Sequence, residues 1–267
     1  MKKVIPIILI ILTVLSVAGL GVYRYLAKKR VGGEAPVITF DTMMLEVTTD
    51  AQEDELLQGV TATDAEDGDV TASVLVEATT HFVSDSTIEV TYAAFDSQGH
   101  VTKATRSVRY VDYTPPRFYL TGPLLFSEAG VSELLGCVGA RDCIDGDLSS
   151  RVKASLAETG TSLNTPGEHP LEFRVTNSAG DTAYLNVTVA VESGYNSSRQ
   201  IPLTDYLIYL PAGSEFDPRA YLPEDFASER GLEIENNVNT DQPGVYDVFY
   251  RLDSSMTRLI VVVEGEG

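Results

Sequence analysis

Six aspartates are spaced so that they could hold divalent cations. Asp64, Asp67 and Asp69 lie in "TDAEDGDVT" (63–71), and Asp142, Asp145 and Asp147 lie in "RDCIDGDLS" (141–149). Each set gathers three carboxylates around one glycine, and calcium takes six to eight oxygen ligands at about 2.3–2.6 Å. The same spacing supports a second chemistry. An Asp side chain in a tight turn accepts hydrogen bonds from nearby backbone N–H groups, while the glycine takes a positive φ. The frame is not the D-x-[DN]-x-[DN]-G loop of EF-hands, and no further ligand is identifiable from the sequence. The structural turn is the favoured reading, with calcium as the one cofactor to be tested.

The elements that position these turns repeat along the chain. "ATDAEDGDVTASV" (62–74) aligns with "ARDCIDGDLSSRV" (140–152) in the frame A-x-D-x-x-D-G-D-apolar-[TS]-x-x-V. Downstream, "IEVTYAAFDSQG" (88–99) aligns with "HPLEFRVTNSAG" (169–180), and "PGVYDVFYRLDSS" (243–255) aligns with "PGEHPLEFRVTNS" (166–178). Strict alternation of apolar and polar residues, bounded by turn residues, predicts antiparallel strands with one buried face. Several such strands in each copy predict small β-sandwiches, and three diverged copies predict a repeat protein. "YTPP" (113–116) reads as a stiff junction and "SGYNSSRQ" (193–200) as a looser one.

These residues resemble bacterial immunoglobulin-like domains. Such domains occur in tandem on Gram-positive surface proteins and are appended to some insecticidal crystal toxins. The resemblance rests on the D-x-x-D-G-D-[VL]-[TS] turn and the Tyr/Phe-alternating strand closed by Asp96-Ser97 or Asn177-Ser178. It covers 35–114 and 115–192, and 199–264 in part, through "GSEFDP", "PGVYDVFYRL" and the last strand. It implies an all-β chain of three tandem immunoglobulin-like β-sandwiches, used at a cell surface for spacing, adhesion or interaction. It implies no catalytic residues.

The amino-terminal segment 1–30 differs from everything after it. Residues 4–23 run without charge and, as a helix of about 30 Å, would cross a bilayer's hydrocarbon core. That predicts one transmembrane helix and a single-pass protein with its carboxyl-terminal portion outside the cell. The alternative is secretion after cleavage of a signal peptide, with Ser16 and Ala18 as the small residues of the site. Counting basic residues on either side slightly favours the opposite orientation, but long domains can translocate despite flanking charge.

Composition narrows the function. After residue 30 there are 13 basic against 39 acidic residues, a net charge of −26. Such a surface repels phosphate backbones, so nucleic acid is not an expected partner. Two cysteines, Cys137 and Cys143, rule out a disulfide scaffold, and the strand expected between them predicts two free thiols. Three histidines, His81, His100 and His169, stand near no nucleophile or metalloprotease motif, so no enzyme is expected. Aromatic residues of the third copy, among them Tyr209, Phe216, Tyr221 and Tyr250, either fill its core or stack on sugars. The alternatives to a surface spacer are a carbohydrate- or cell-wall-binding module, or an accessory subunit of a membrane complex.

Overall fold

The computed structural model describes residues 16–24, 33–128, 131–156 and 163–265. Residues 16–24 are helical and exposed; residues 4–15 of the expected membrane segment lie outside the described residues. Among the described residues no helix is long and apolar enough to cross a membrane. The protein is all-β, with few and short helices, and divides into two compact units, Met1–Asp112 and Tyr113–Gly267.

In the first unit the alternating stretches become seven strands. They are β1 (Val37–Phe40), β2 (Met44–Val47), β3 (Val60–Asp64), β4 (Gly68–Asp69), β5 (Leu75–Thr79), β6 (Thr87–Phe95) and β7 (Val101–Tyr110). Two sheets result, in the orders β1-β3-β4 and β2-β7-β6-β5. β1 runs antiparallel to β3 in one sheet, and β2 runs parallel to β7 in the other. The period of two along each strand turns Phe40, Val60, Val90, Tyr92 and Val108 inward, where they form one core between the sheets.

One inward residue is a cation. The side chain of Arg106 on β7 is 0% exposed. Its Nη1 donates to the Gln58 carbonyl at 2.8 Å, and its Nη2 donates to the Leu56 carbonyl at 2.7 Å and the Tyr92 hydroxyl at 3.0 Å. Those carbonyls lie at the end of the short helix Glu53–Leu56, where the last carbonyls lack intrahelical partners. The Phe40 and Tyr92 rings each lie 5.3 Å from the guanidinium, in cation–π range. Arg106 therefore pins the β2–β3 connection to the sandwich.

The second unit opens with the same plan. Its strands are β8 (Arg117–Leu120), β9 (Leu125–Phe126), β10 (Val138–Asp142), β11 (Gly146–Asp147), β12 (Lys153–Leu156), β13 (Gly167–Thr176) and β14 (Thr182–Val191). The sheet orders β8-β10-β11 and β9-β14-β13-β12 repeat those of the first unit, including the parallel pair β9–β14. Phe118, Val138, Leu171, Phe173 and Val187 fill the space between.

Residues 199–264 depart from the expectation of a third sandwich. β15 (Leu207–Pro211), β16 (Glu233–Asn236), β17 (Gly244–Leu252) and β18 (Ser255–Glu264) form one sheet in the order β15-β18-β17-β16. No second sheet occurs among these residues. A 3₁₀ turn (Pro218–Tyr221) and a short helix (Glu224–Ala227) stand where its strands would run. Pro218 and Pro223 explain the loss, because proline cannot donate to a β-ladder and is confined to strand edges.

This third region is not loosely joined to the second. Leu207 and Ile260 belong to the core of the 117–191 sandwich, with Tyr206, Tyr209 and Val262 packed against it. Arg258 is buried, donates from Nη1 to the Thr188 carbonyl at 2.7 Å, and pairs with Asp247 at 2.6 Å. Arg117 pairs with Glu264 at 2.9 Å. The connecting stretch expected to be loose is ordered: Asn196 caps the 3₁₀ turn Ser197–Arg199, and Ile201 and Leu203 are buried. Ile201 and Leu203, just after that stretch, supply the reason, since burying them ties the connection down.

Candidate functional site

The six aspartates sit in two turns with the same strand pairing, between β3 and β4 and between β10 and β11. In the first, Asp64 Oδ1 accepts the N–H groups of Glu66 and Asp67, both at 2.8 Å. In the second, Asp142 Oδ1 accepts those of Ile144 at 3.2 Å and Asp145 at 2.7 Å. Asp69 and Asp147 accept the N–H groups of Thr71 and Ser149, both at 2.9 Å. Gly68 and Gly146 have φ of 76° and 70°, a conformation that disfavours any residue with a Cβ.

The middle aspartates do more than turn the chain. Asp67 takes the Ser97 N–H at 2.7 Å and its hydroxyl at 2.9 Å. Asp145 takes the Ser178 N–H at 2.6 Å and its hydroxyl at 2.8 Å. Ser97 and Ser178 lie in the β6–β7 and β13–β14 hairpins, so each clamp ties one sheet of a sandwich to the other. The sequence marks both serines at equivalent places, but their long-range partners become visible only once the sheets are stacked.

Electrostatics agree with this role. Burial would raise Asp145, but the Ser178 hydroxyl and amide and the Arg151 guanidinium outweigh it and hold the carboxyl below the usual range. Hydrogen bonds from Thr71 and Ser149 do the same for Asp69 and Asp147. Beside each clamp the two copies use different chemistry. Asp96 Oδ2 lies 2.6 Å from His100 Nδ1 in the first. In the second, the Asn177 amide donates to Asp142 and to the Tyr113 hydroxyl, which donates to Asp181 at 2.6 Å.

These carboxylates face N–H and O–H donors, and a calcium ion needs oxygen acceptors converging on one point. Among the described residues no group of three or more His, Cys, Asp or Glu side chains converges as a metal site. Hydrogen bonds from N–H groups thus occupy an oxygen of each of the six carboxylates. The cysteines are both free thiols, on either side of β10. His81 is exposed, and His169 Nε2 lies 2.8 Å from the Thr165 carbonyl.

Most aromatics of the third region serve its core. Tyr250 is fully buried with its hydroxyl on the Pro218 carbonyl at 2.7 Å, and Tyr246 and Phe226 pack beside it. Tyr209 lies 4.8 Å beneath Arg117, and burial pushes its hydroxyl up to about 12. Phe216 and Tyr221 also pack against that core, and their remaining surface lines a cleft. They stack at 6.0 Å and 30° along this cleft of about 810 Å³, which also presents Glu215, Asp217, Asn236 and Thr240. A half-buried aromatic pair ringed by carboxylate and amide acceptors can receive a sugar ring and its hydroxyls.

The chain is thus an all-β protein built on repeated, clamped β-sandwiches. No family profile matches it. It is similar to the pesticidal crystal protein Cry22Aa of Bacillus thuringiensis, with 26% identity over 249 residues, 81% of this chain and 32% of that protein. The chain spans about a third of that relative's length. The similarity agrees with the part of the resemblance that pointed to crystal toxins. Among solved structures, CBM51-2 in complex with GlcNAc and INT domains from Clostridium perfringens ZmpB aligns at 18% identity and a TM-score of 0.24. That alignment covers 56% of this chain and 26% of that one. Surface layer protein SbsC, domains 1-6, aligns at 12% identity and a TM-score of 0.20, over 88% of this chain and 41% of that one.

Proposed function

We propose that the chain is a non-enzymatic bacterial surface protein. In this reading it carries three tandem immunoglobulin-like repeats, the third reduced to one sheet, that act as a spacer, adhesion or interaction module. Residues 4–23 would tether it in the cell membrane with the carboxyl-terminal portion outside; release after signal cleavage is the alternative. The observation that carries the reading is the recurrence of one sandwich plan with the same Asp–Ser clamp. That architecture is one of repetition and rigidity, and it spends its polar residues on holding sheets together. Protease added to intact cells should remove everything beyond about residue 31. Protection until the cells are lysed would sink the surface role.

The Phe216–Tyr221 cleft favours a second reading, a carbohydrate- or cell-wall-binding module. Full-length protein should then bind neutral glycans on an array, and Glu215→Ala should abolish binding while leaving the melting curve unchanged. Binding that survives Glu215→Ala would place any glycan elsewhere.

A further inference from the structure

One end of the outer face of the β12-β13-β14 sheet gathers positive charge on an acidic protein, away from Glu168 and Glu172 on the same face of β13. Arg151, Lys153 and Arg174 line one shallow cleft of about 280 Å³ with Thr176. Lys153 and Arg174 are direct cross-strand partners, and Arg174 is also paired with Tyr184 on β14, which is 56% exposed. Like charges directly opposite one another on a sheet are destabilising. Several other cations meet carboxylates: Arg109 with Glu46, Arg117 with Glu264, Arg251 with Glu235 and Arg258 with Asp247. Arg151 reaches Asp145, but among the described residues Lys153 and Arg174 form no ion pair.

The repeat provides an internal control. The same register in the first unit reads Leu75, Ala93 and Lys103 across its strands. In the third region the counterpart of Arg174 is Arg251, which stands opposite Glu233 and pairs with Glu235. The sheet forms with an apolar pair there, and with an opposite-charge pair. It does not require two cations side by side.

We propose that this strip binds a phosphate-bearing glycan. Lys153 and the planar fork of Arg174 would take the phosphate oxygens, with Arg151 at the edge, and Tyr184 would stack on the adjoining sugar ring. Glu172, two residues before Arg174 on the same face, confines the acid group to the Lys153–Arg174 end. The chain's net charge of −20 opposes this only at a distance. At physiological ionic strength the screening length is about 8 Å, so the local cations dominate at contact. The site lies outside the third-region cleft, and either can exist without the other.

The test is retention of full-length protein on phosphocellulose, a phosphate-bearing glucose polymer, beside unmodified cellulose and phosphatidylglycerol vesicles. The basic residues at 2, 3, 24 and 28–30 are present in every variant and cancel in the comparison. Lys153→Gln with Arg174→Gln should cut retention at least about tenfold, since it removes both cations that hold the phosphate oxygens. Tyr184→Ala should weaken it several-fold without changing charge, and Arg230→Gln, an exposed cation elsewhere, should leave it unchanged. Four results would overturn the proposal. They are no retention of the wild type, equal retention of the double variant, indifference to Tyr184→Ala, and vesicle capture that depends equally on Lys153 and Arg174.

Discussion

Arg106→Ala should unfold the first unit well before the second. The substitution leaves the Gln58 carbonyl without its donor inside the sandwich, leaves the Leu56 carbonyl with the Tyr92 hydroxyl alone, and removes a guanidinium lying against two rings. The stranded Gln58 carbonyl and the cavity left by a fully buried guanidinium together cost about 3–5 kcal/mol. For a unit of this size each kcal/mol lowers the midpoint by about 4–8 °C. Calorimetry of the full-length protein should therefore show one early transition and one left near its original temperature. Arg106→Lys should rescue little, because an ammonium cannot reach two carbonyls and a hydroxyl in one plane. A single unshifted transition in Arg106→Ala would mean that the β2–β3 connection is held by something else.

The second large effect belongs to the clamps. Asp145 has its carboxyl depressed by Ser178 and Arg151, so its stabilisation is fully present above the unfolded carboxylate value of about 3.9. It is lost as the pH falls through the lower folded value, because protonation then removes the acceptor that holds Ser178. Stability of the second unit should be flat down to about pH 4 and fall below it. Asp145→Ala, which frees the Ser178 amide and hydroxyl and the Arg151 guanidinium, should cost about 2–3 kcal/mol at neutral pH and flatten the acid limb. Urea titrations at several pH values check this. An acid limb of unchanged slope in Asp145→Ala would assign the pH dependence to other carboxylates, with Asp147 the first to examine.

The two sandwiches were legible because their strands alternate cleanly and their turns carry glycine at the left-handed position. The D-G-D frame located all six aspartates and even their role as N–H acceptors. What it hid was the long-range half of the interaction. Ser97 is 30 residues beyond Asp67 and Ser178 is 33 beyond Asp145, and only stacking the sheets brings them together. The third region misled because "PGVYDVFYRL" carries the strand pattern of one sheet alone, while Pro218 and Pro223 silently remove the other. Its connection to the second region looked polar in "SGYNSSRQ", and the anchoring residues Ile201 and Leu203 come just after it. The Lys153–Arg174–Tyr184 strip was invisible for a related reason. Its members come from three strands, and only the register sets them side by side.

The repeated acidic turn is a hydrogen-bonded clamp between the sheets of each sandwich. The direct measurement is the thermal midpoint of full-length protein in millimolar calcium and in chelator, for wild type and for Asp67→Asn with Asp145→Asn. Each Asn keeps one acceptor oxygen but turns an amide toward the serine, so the double variant should lose about 1–2 kcal/mol per unit. Wild-type midpoints should agree with and without calcium, and the double variant should be lower by several degrees in both. A wild-type midpoint raised by many degrees in calcium, with the gain abolished in the double variant, would contradict the clamp and make the turns metal sites.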